Sequence, residues 1–291
     1  MNQTTPDITK PSRRRPWLSR IRRTLICCGI VTAVIASPAC VRMTEDTPSF
    51  RHTHSEIRAQ RKILKDNPID QLERPVLLLS GYRAVPTMVE RVRTRLCDMT
   101  TGNSEEFVPV AYTFKGEIVD MAEHAVRKLE ARYPSNDPEE TIEVDVVAIS
   151  MGGLVARLAA EDPALHNREG KRLRIKRLFT LATPHRGATL AEHIRPDKAA
   201  ADVRPGSSFL EDLNSRVEER DYILVCYGQT RDGWVGATNT APPGMEPYWT
   251  GGTLFWSHFN APSNPWFLVD IAKRLRGEEP IALEAGPPPR N

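Results

Sequence analysis

A run of apolar residues, Val144-Asp-Val-Val-Ala-Ile149, leads straight into Ser150, and Met151-Gly-Gly-Leu-Val-Ala-Arg157 follows without a break. The first segment is rich in β-branched residues and reads as a strand covered on both faces; the second reads as a helix. A chain passes from buried strand to helix in so few residues only through a sharp turn. Small residues are then required around the apex, and Ala148 and Gly152 occupy the places two before and two after Ser150. Gly153 lets the helix pack closely. Such a turn pushes the serine out at the edge of the sheet and aims helix N–H groups at it. This segment points to an α/β sheet with a candidate nucleophile at its edge, a serine in an ordinary strand-to-helix turn being the plain alternative.

The remaining pattern agrees. Strands are expected at Val76–Ser80, Val108–Thr113, Arg174–Ala182 and Tyr222–Tyr227, and helices at Pro86–Cys97, Ile118–Tyr133, from Met151 and at Phe267–Leu275. Strands alternating with crossover helices predict a mostly parallel sheet with helices on both faces, and chemistry at the carboxyl ends of its strands. The expected organisation is a leader at 1–39, a linker with a first helical stretch at 40–70, a body at 71–277 and a disordered tail at 278–291. Pro242–Gly252 lies between the candidate acid and base without an assigned role. With 40% hydrophobic and 26% charged residues, the chain of 291 can build a core, which excludes wholesale disorder.

The net charge of +3 belongs to the leader. Lys10, Arg13, Arg14, Arg15, Arg20, Arg22 and Arg23 stand there against Asp7 alone; the other 33 basic and 36 acidic residues leave the rest at −3. The folded part therefore gives no argument for nucleic-acid binding. Leu25 to Ala36 is an apolar run of signal-peptide length, and Ser37-Pro38-Ala39 suits cleavage after Ala39. The mature chain would then begin at Cys40, as in a bacterial lipoprotein, so export and membrane attachment through a lipidated Cys40 are expected alongside simple secretion. An uncleaved anchor and a twin-arginine signal are the alternatives. Among the five cysteines, Cys97 and Cys226 lie in the body, as one disulfide or two buried thiols. His52 and His54 form an H-x-H pair with no further ligand near them in sequence.

The segment around Ser150 resembles the nucleophile elbow of α/β-hydrolases, and Ser-Met-Gly-Gly-Leu-Val-Ala-Arg is similar to bacterial lipases and esterases. Ala148 departs from the first Gly of the G-x-S-x-G pattern. Leu178-Phe-Thr-Leu-Ala-Thr-Pro-His-Arg-Gly-Ala188 resembles the strand and loop such enzymes place beside the elbow. Asp202-Val-Arg-Pro-Gly-Ser-Ser-Phe-Leu-Glu-Asp-Leu-Asn214 is similar to their capping region, which implies a small cap between Gly187 and Asn214 with Arg204 in structural contacts. The resemblance covers about Pro75 to Leu275. It implies the α/β-hydrolase fold and a triad in the order serine, acid, histidine. Asp232, in Gly228-Gln-Thr-Arg-Asp-Gly233, is the implied acid, and a surface turn is its plain alternative. His258, in Phe255-Trp-Ser-His-Phe-Asn260, is the implied base, and the aromatics around it could wall an acyl pocket. His185 is expected to be structural or to line the site. The oxyanion donors would be the N–H groups of Met151 and of Tyr82, in Ser80-Gly81-Tyr82, where Ser80 replaces the usual histidine. The implied activity is hydrolysis of carboxylic esters, lipid esters included, with no metal or organic cofactor. A thioesterase or acyltransferase on the same triad, or an inactive surface-held binding protein of the same fold, are the rivals.

Overall fold

The computed structural model describes Met1 and residues 47–289, except 83, 85, 113–115, 190–197 and 254–255. The fold lies in the compact unit Arg42–Asn291. Beyond Met1, the leader and Cys40 lie outside the described residues, as do Arg83, Phe255 and part of the expected cap.

Six strands form one sheet: β1 (Val76–Leu79), β2 (Phe107–Val110), β3 (Val144–Ile149), β4 (Ile175–Leu181), β5 (Ile223–Gln229) and β6 (Tyr248–Thr250). Their order is β2-β1-β3-β4-β5-β6, and every neighbouring pair is parallel. β3 sits at the centre with all six residues buried, as its apolar run requires. Its one acid, Asp145, is held at 2.9 Å by Arg177 Nε, so the charge is compensated within the sheet.

Among the described residues the α-helices are α1 (His54–Asp66), α2 (Pro86–Met99), α3 (Ile118–Arg132), α4 (Gly152–Ala159), α5 (Lys198–Asp202), α6 (Ser208–Ser215), α7 (Ser257–Asn260) and α8 (Pro265–Leu275). α3 and α4 cover one face of the sheet, around Leu77, Val146 and Leu178. α1, α2 and α8 cover the other, around Leu78, Val147 and Phe179. Alternate residues of each strand feed opposite cores, as the pleat demands. After β2 the chain returns past β1 to lay β3 on its far side, and the crevice between β1 and β3 is the switch point where such sheets bind ligands. The strand order, the crossovers and the strand-to-helix turn at Ser150 make this the α/β-hydrolase fold.

Three expectations change. Pro242–Gly252 contains a sixth strand, β6, too short and too interrupted by proline and glycine to read as one. Arg186 Nη2 donates to the carbonyls of Pro242 and Met245 at 3.0 and 2.8 Å, which fixes the approach to that strand. The segment from 278, expected as a disordered tail, packs on the body. Ile281 and Ala282 are buried, and Ala282 N–H donates to Asp270 Oδ1 at 2.7 Å. Composition shows the prolines and not the buried acceptor that orders them. Within 40–70, α1 packs Ile57 and Leu64 into the core behind a Thr53–Glu56 capping box. Cys97 and Cys226 are both free and buried.

Candidate active site

Ser150 follows β3 directly and has φ 52°, left-handed backbone held by a side chain with a Cβ. Its N–H donates to Leu181 O at 2.8 Å, and its carbonyl accepts from Thr183 Oγ1 at 2.7 Å, so the loop after β4 holds both sides of the apex. The turn needs glycine next. A Cβ on Gly152 would lie 2.5 Å from Ser80 O, and one on Gly153 2.3 Å from Thr183 Oγ1. Arg231 and Ala182, at the ends of β5 and β4, also have positive φ. Three of the four such non-glycine residues among the described ones thus cluster where strands deliver side chains to one edge, the usual place for stored backbone strain.

Ser150 Oγ lies 3.0 Å from His258 Nε2, and His258 Nδ1 lies 3.0 Å from Asp232 Oδ2. The three residues come from the loops after β3, β5 and β6, up to 108 positions apart in sequence. Asp232 is fully buried, and its Oδ1 accepts the N–H groups of Trp234 and Val235 at 2.9 and 3.0 Å. One oxygen is therefore occupied by backbone, and the other faces the imidazole. With Nδ1–H donating to the carboxylate, Nε2 is left to accept the serine proton.

The loops carrying acid and base are joined directly. Ser257 Oγ donates to Thr230 O at 2.8 Å, and Gly252 N–H donates to Thr230 Oγ1 at 3.0 Å. Gly252 has no room for a Cβ, which would sit 1.9 Å from Thr230 O. Sequence reading missed Thr230, Gly252 and Ser257 because their partners lie across the chain.

Beside Ser150 a cleft of about 130 Å³ is lined by Tyr82, Met151, Val203, Trp234, His258 and Phe259 among others. Tyr82 and Met151, the expected oxyanion donors, thus flank the serine. Ser80, where a histidine was expected, is buried; its Oγ accepts Tyr112 N–H at 3.0 Å, which ties the loop after β1 to the end of β2. From the expected cap, Ala188, Ala200 and Val203 reach the cleft. Arg204, expected in structural contacts, has its Nε buried without a partner.

His185 does not join the group. It is buried, with Nδ1 3.1 Å from Arg157 Nη1 and Nε2 3.2 Å from Thr180 Oγ1. Burial, and then the Arg157 charge, hold its imidazole neutral well below the ordinary value. Arg157 also donates to Asn214 Oδ1 at 2.9 Å and Leu213 O at 2.8 Å, so this pair anchors the end of α6 to the helix behind the serine. Among the described residues no group of three His, Cys, Asp or Glu side chains could hold a metal; His54 instead packs edge-on against Trp266 at 4.5 Å.

A domain of unknown function, DUF7379, matches residues 117–200, from the start of α3 into α5. No curated protein sequence matches the chain. Among solved structures, the chain is similar to a Bacillus licheniformis lipase in propeptide form, at 16% identity and TM-score 0.46, over 76% of this chain and 54% of that one. A Listeria innocua gene product is similar at 12% identity and TM-score 0.47, over 71% and 95%. A thioesterase of the Streptomyces coelicolor prodiginine pathway is similar at 19% and 0.38, over 78% and 97%. The chain spans about half the length of the lipase. These are likenesses of backbone at low identity; the fold assignment stands on the chain's own strand order and its turn at Ser150.

Proposed function

We propose that this chain is an exported serine hydrolase of carboxylic esters. The observation that carries the reading is the unbroken contact chain from Ser150 through His258 to Asp232, with both links at 3.0 Å. In this mechanism His258 Nε2 takes the Ser150 proton as Oγ bonds to the ester carbonyl carbon. The carbonyl oxygen becomes an oxyanion, held by the N–H groups of Tyr82 and Met151. Asp232 keeps the imidazole in the reactive tautomer and stabilises the imidazolium. The tetrahedral adduct collapses, the C–O bond breaks, and the leaving alkoxide takes the proton from His258. Water, deprotonated by His258, then attacks the acyl-enzyme and returns the serine.

The apolar cleft supports an uncharged acyl group, lipid esters included. The leader supports export, with lipidation at Cys40 as the proposed attachment. The test compares wild type with Ser150→Ala on chromogenic esters from two-carbon to sixteen-carbon acyl chains and on matching thioesters. Turnover by wild type alone assigns the nucleophile, and the chain-length and leaving-group profile separates esterase from thioesterase. A folded wild type that turns over nothing and resists a fluorophosphonate overturns the reading.

A further inference from the structure

Three aromatic rings sit together at the mouth of the cleft. Trp256 is 64% exposed, Phe259 40% and Trp234 36%. Phe259 meets Trp234 edge-on at 5.1 Å and Trp256 at 6.2 Å, while Trp234 lies near-parallel to the His258 ring at 6.0 Å. The patch is thus continuous from solvent to the imidazole. The other exposed large apolar side chains described in the body, Ile63, Leu165, Ile223 and Leu283, stand on four separate stretches of the chain. Single apolar residues on a surface are ordinary; a contiguous patch marks a contact surface. Indole and phenyl rings are suited to the zone between lipid headgroups and hydrocarbon, being apolar with a polar edge available on the indole.

The course of the chain favours a bilayer over a protein partner. Asn264 Nδ2 donates to Thr250 Oγ1 at 2.8 Å, so α8 begins beside the carboxyl end of β6, on the edge that carries Ser150 and His258. Trp266 Nε1, in the first turn of α8, donates to His52 O at 2.8 Å. Thr47 Oγ1 donates to Trp249 O at 2.6 Å, and Trp249 N–H donates to Ser49 Oγ at 3.0 Å. Residues 47–52 are therefore held against β6 and the first turn of α8. Seven peptide steps separate Thr47 from Cys40, a reach of at most about 25 Å. Under the Cys40 attachment proposed above, the length of the connection alone would keep Thr47, and β6 beside it, within that reach of a bilayer.

We propose that Trp256, Phe259 and Trp234 form a membrane-docking surface that seats the mouth of the cleft on a lipid bilayer. The surface binds without turnover, so its test and the test of the hydrolase reading fail separately. The full chain is mixed with phosphatidylcholine vesicles whose acyl chains are brominated, and tryptophan fluorescence is compared between wild type and Trp256→Phe. The leader contributes equally to both chains, so the difference isolates the Trp256 indole. The expected result is a quenched component in wild type that Trp256→Phe lacks. Trp256→Lys, at a side chain outside the cleft, should weaken vesicle partitioning on the order of tenfold with an unchanged thermal midpoint. Identical quenching in wild type and Trp256→Phe, with equal partitioning of Trp256→Lys, overturns the proposal. A concentration-dependent dimer dispersed by Trp256→Lys, without quenching, overturns it in favour of a second copy of this chain.

Discussion

Asp232→Asn is the sharpest perturbation, because the surroundings of this side chain dictate what an amide must do there. Oδ1 of Asp232 accepts two backbone N–H groups, at 2.9 and 3.0 Å, while Oδ2 faces His258 Nδ1 at 3.0 Å. An asparagine keeps its carbonyl on the two N–H donors. Turned the other way, its NH₂ would face both donors in a buried site, at a cost of about 1–3 kcal/mol for each unsatisfied group, or about 2–6 kcal/mol together. Even the lower figure is a preference of roughly 30-fold. The NH₂ is thereby aimed at Nδ1, which must accept. The ring proton moves to Nε2, pointing at Ser150 Oγ, and the serine loses its base. The expected fall in kcat/KM is of order 10³–10⁴, about 4–5.5 kcal/mol of transition-state stabilisation. Because every buried polar group keeps a partner, unfolding free energy should change by no more than about 1 kcal/mol. The assay is kcat/KM on a chromogenic ester, with the rate of fluorophosphonate labelling and a thermal melt alongside. A loss of less than tenfold in a well-folded variant refutes the orientation argument and moves the acid elsewhere, with Asp202 next to be tested.

Other outcomes follow from the same contacts. Gly252→Ala should cost at least about 10² in kcat/KM, since its Cβ would lie 1.9 Å from Thr230 O and must part the acid and base loops. Gly233→Ala, whose added carbon meets nothing within 4 Å, is the nearby control and should change kcat/KM little. His185→Ala should lower stability by roughly 2–4 kcal/mol by stripping a partner from buried Arg157, while kcat/KM stays within tenfold; near-complete loss of turnover would make His185 the base. Because the folded protein holds His185 neutral below its ordinary 6.5, the unfolded chain binds a proton that the folded one refuses as pH falls through that value. Stability is therefore lost on acidification below about 6.5, and the pH dependence of the thermal midpoint should be shallower in His185→Ala. Ending the chain after Glu278 removes the burial of Ile281 and Ala282 and the bond to Asp270; the midpoint should fall by roughly 5–10 °C, and an unchanged midpoint would return the segment to a disordered tail.

The alternation of strand and helix and the strand-to-helix turn at Ser150 are legible in sequence, because each rests on a local pattern; Asp232 and His258 came from the resemblance alone, and the fold brings both into line with Ser150. β3 runs over the residues expected, and β1, β2, β4 and β5 differ by only a few residues at their ends. What failed to show were features whose stabilisation comes from far along the chain. β6 has only three residues, and it is a strand because β5 offers an open edge beside it. The segment from 278 orders because Asp270, on α8, has a carboxylate oxygen to spare for Ala282.

The sequence by itself determined that Ser150 must stand on a strained turn between a buried strand and a helix. Ala148 and Gly152, two residues before and two after it, are small, as such a turn requires. It also determined that residues 1–39, and not the rest of the chain, carry the net basic charge. Tertiary structure supplied the reason that His258, and not His185, faces the serine. His185 and His258 both follow strands, but the first is walled in by Arg157, Thr180 and Cys226, and the second is aimed at Ser150 by Asp232. It also decided that Trp234, Trp256 and Phe259 meet at one mouth. The reason is physical: local propensity acts over a few residues, while a hydrogen bond across the sheet edge joins whichever loops the packed layers bring within about 3 Å.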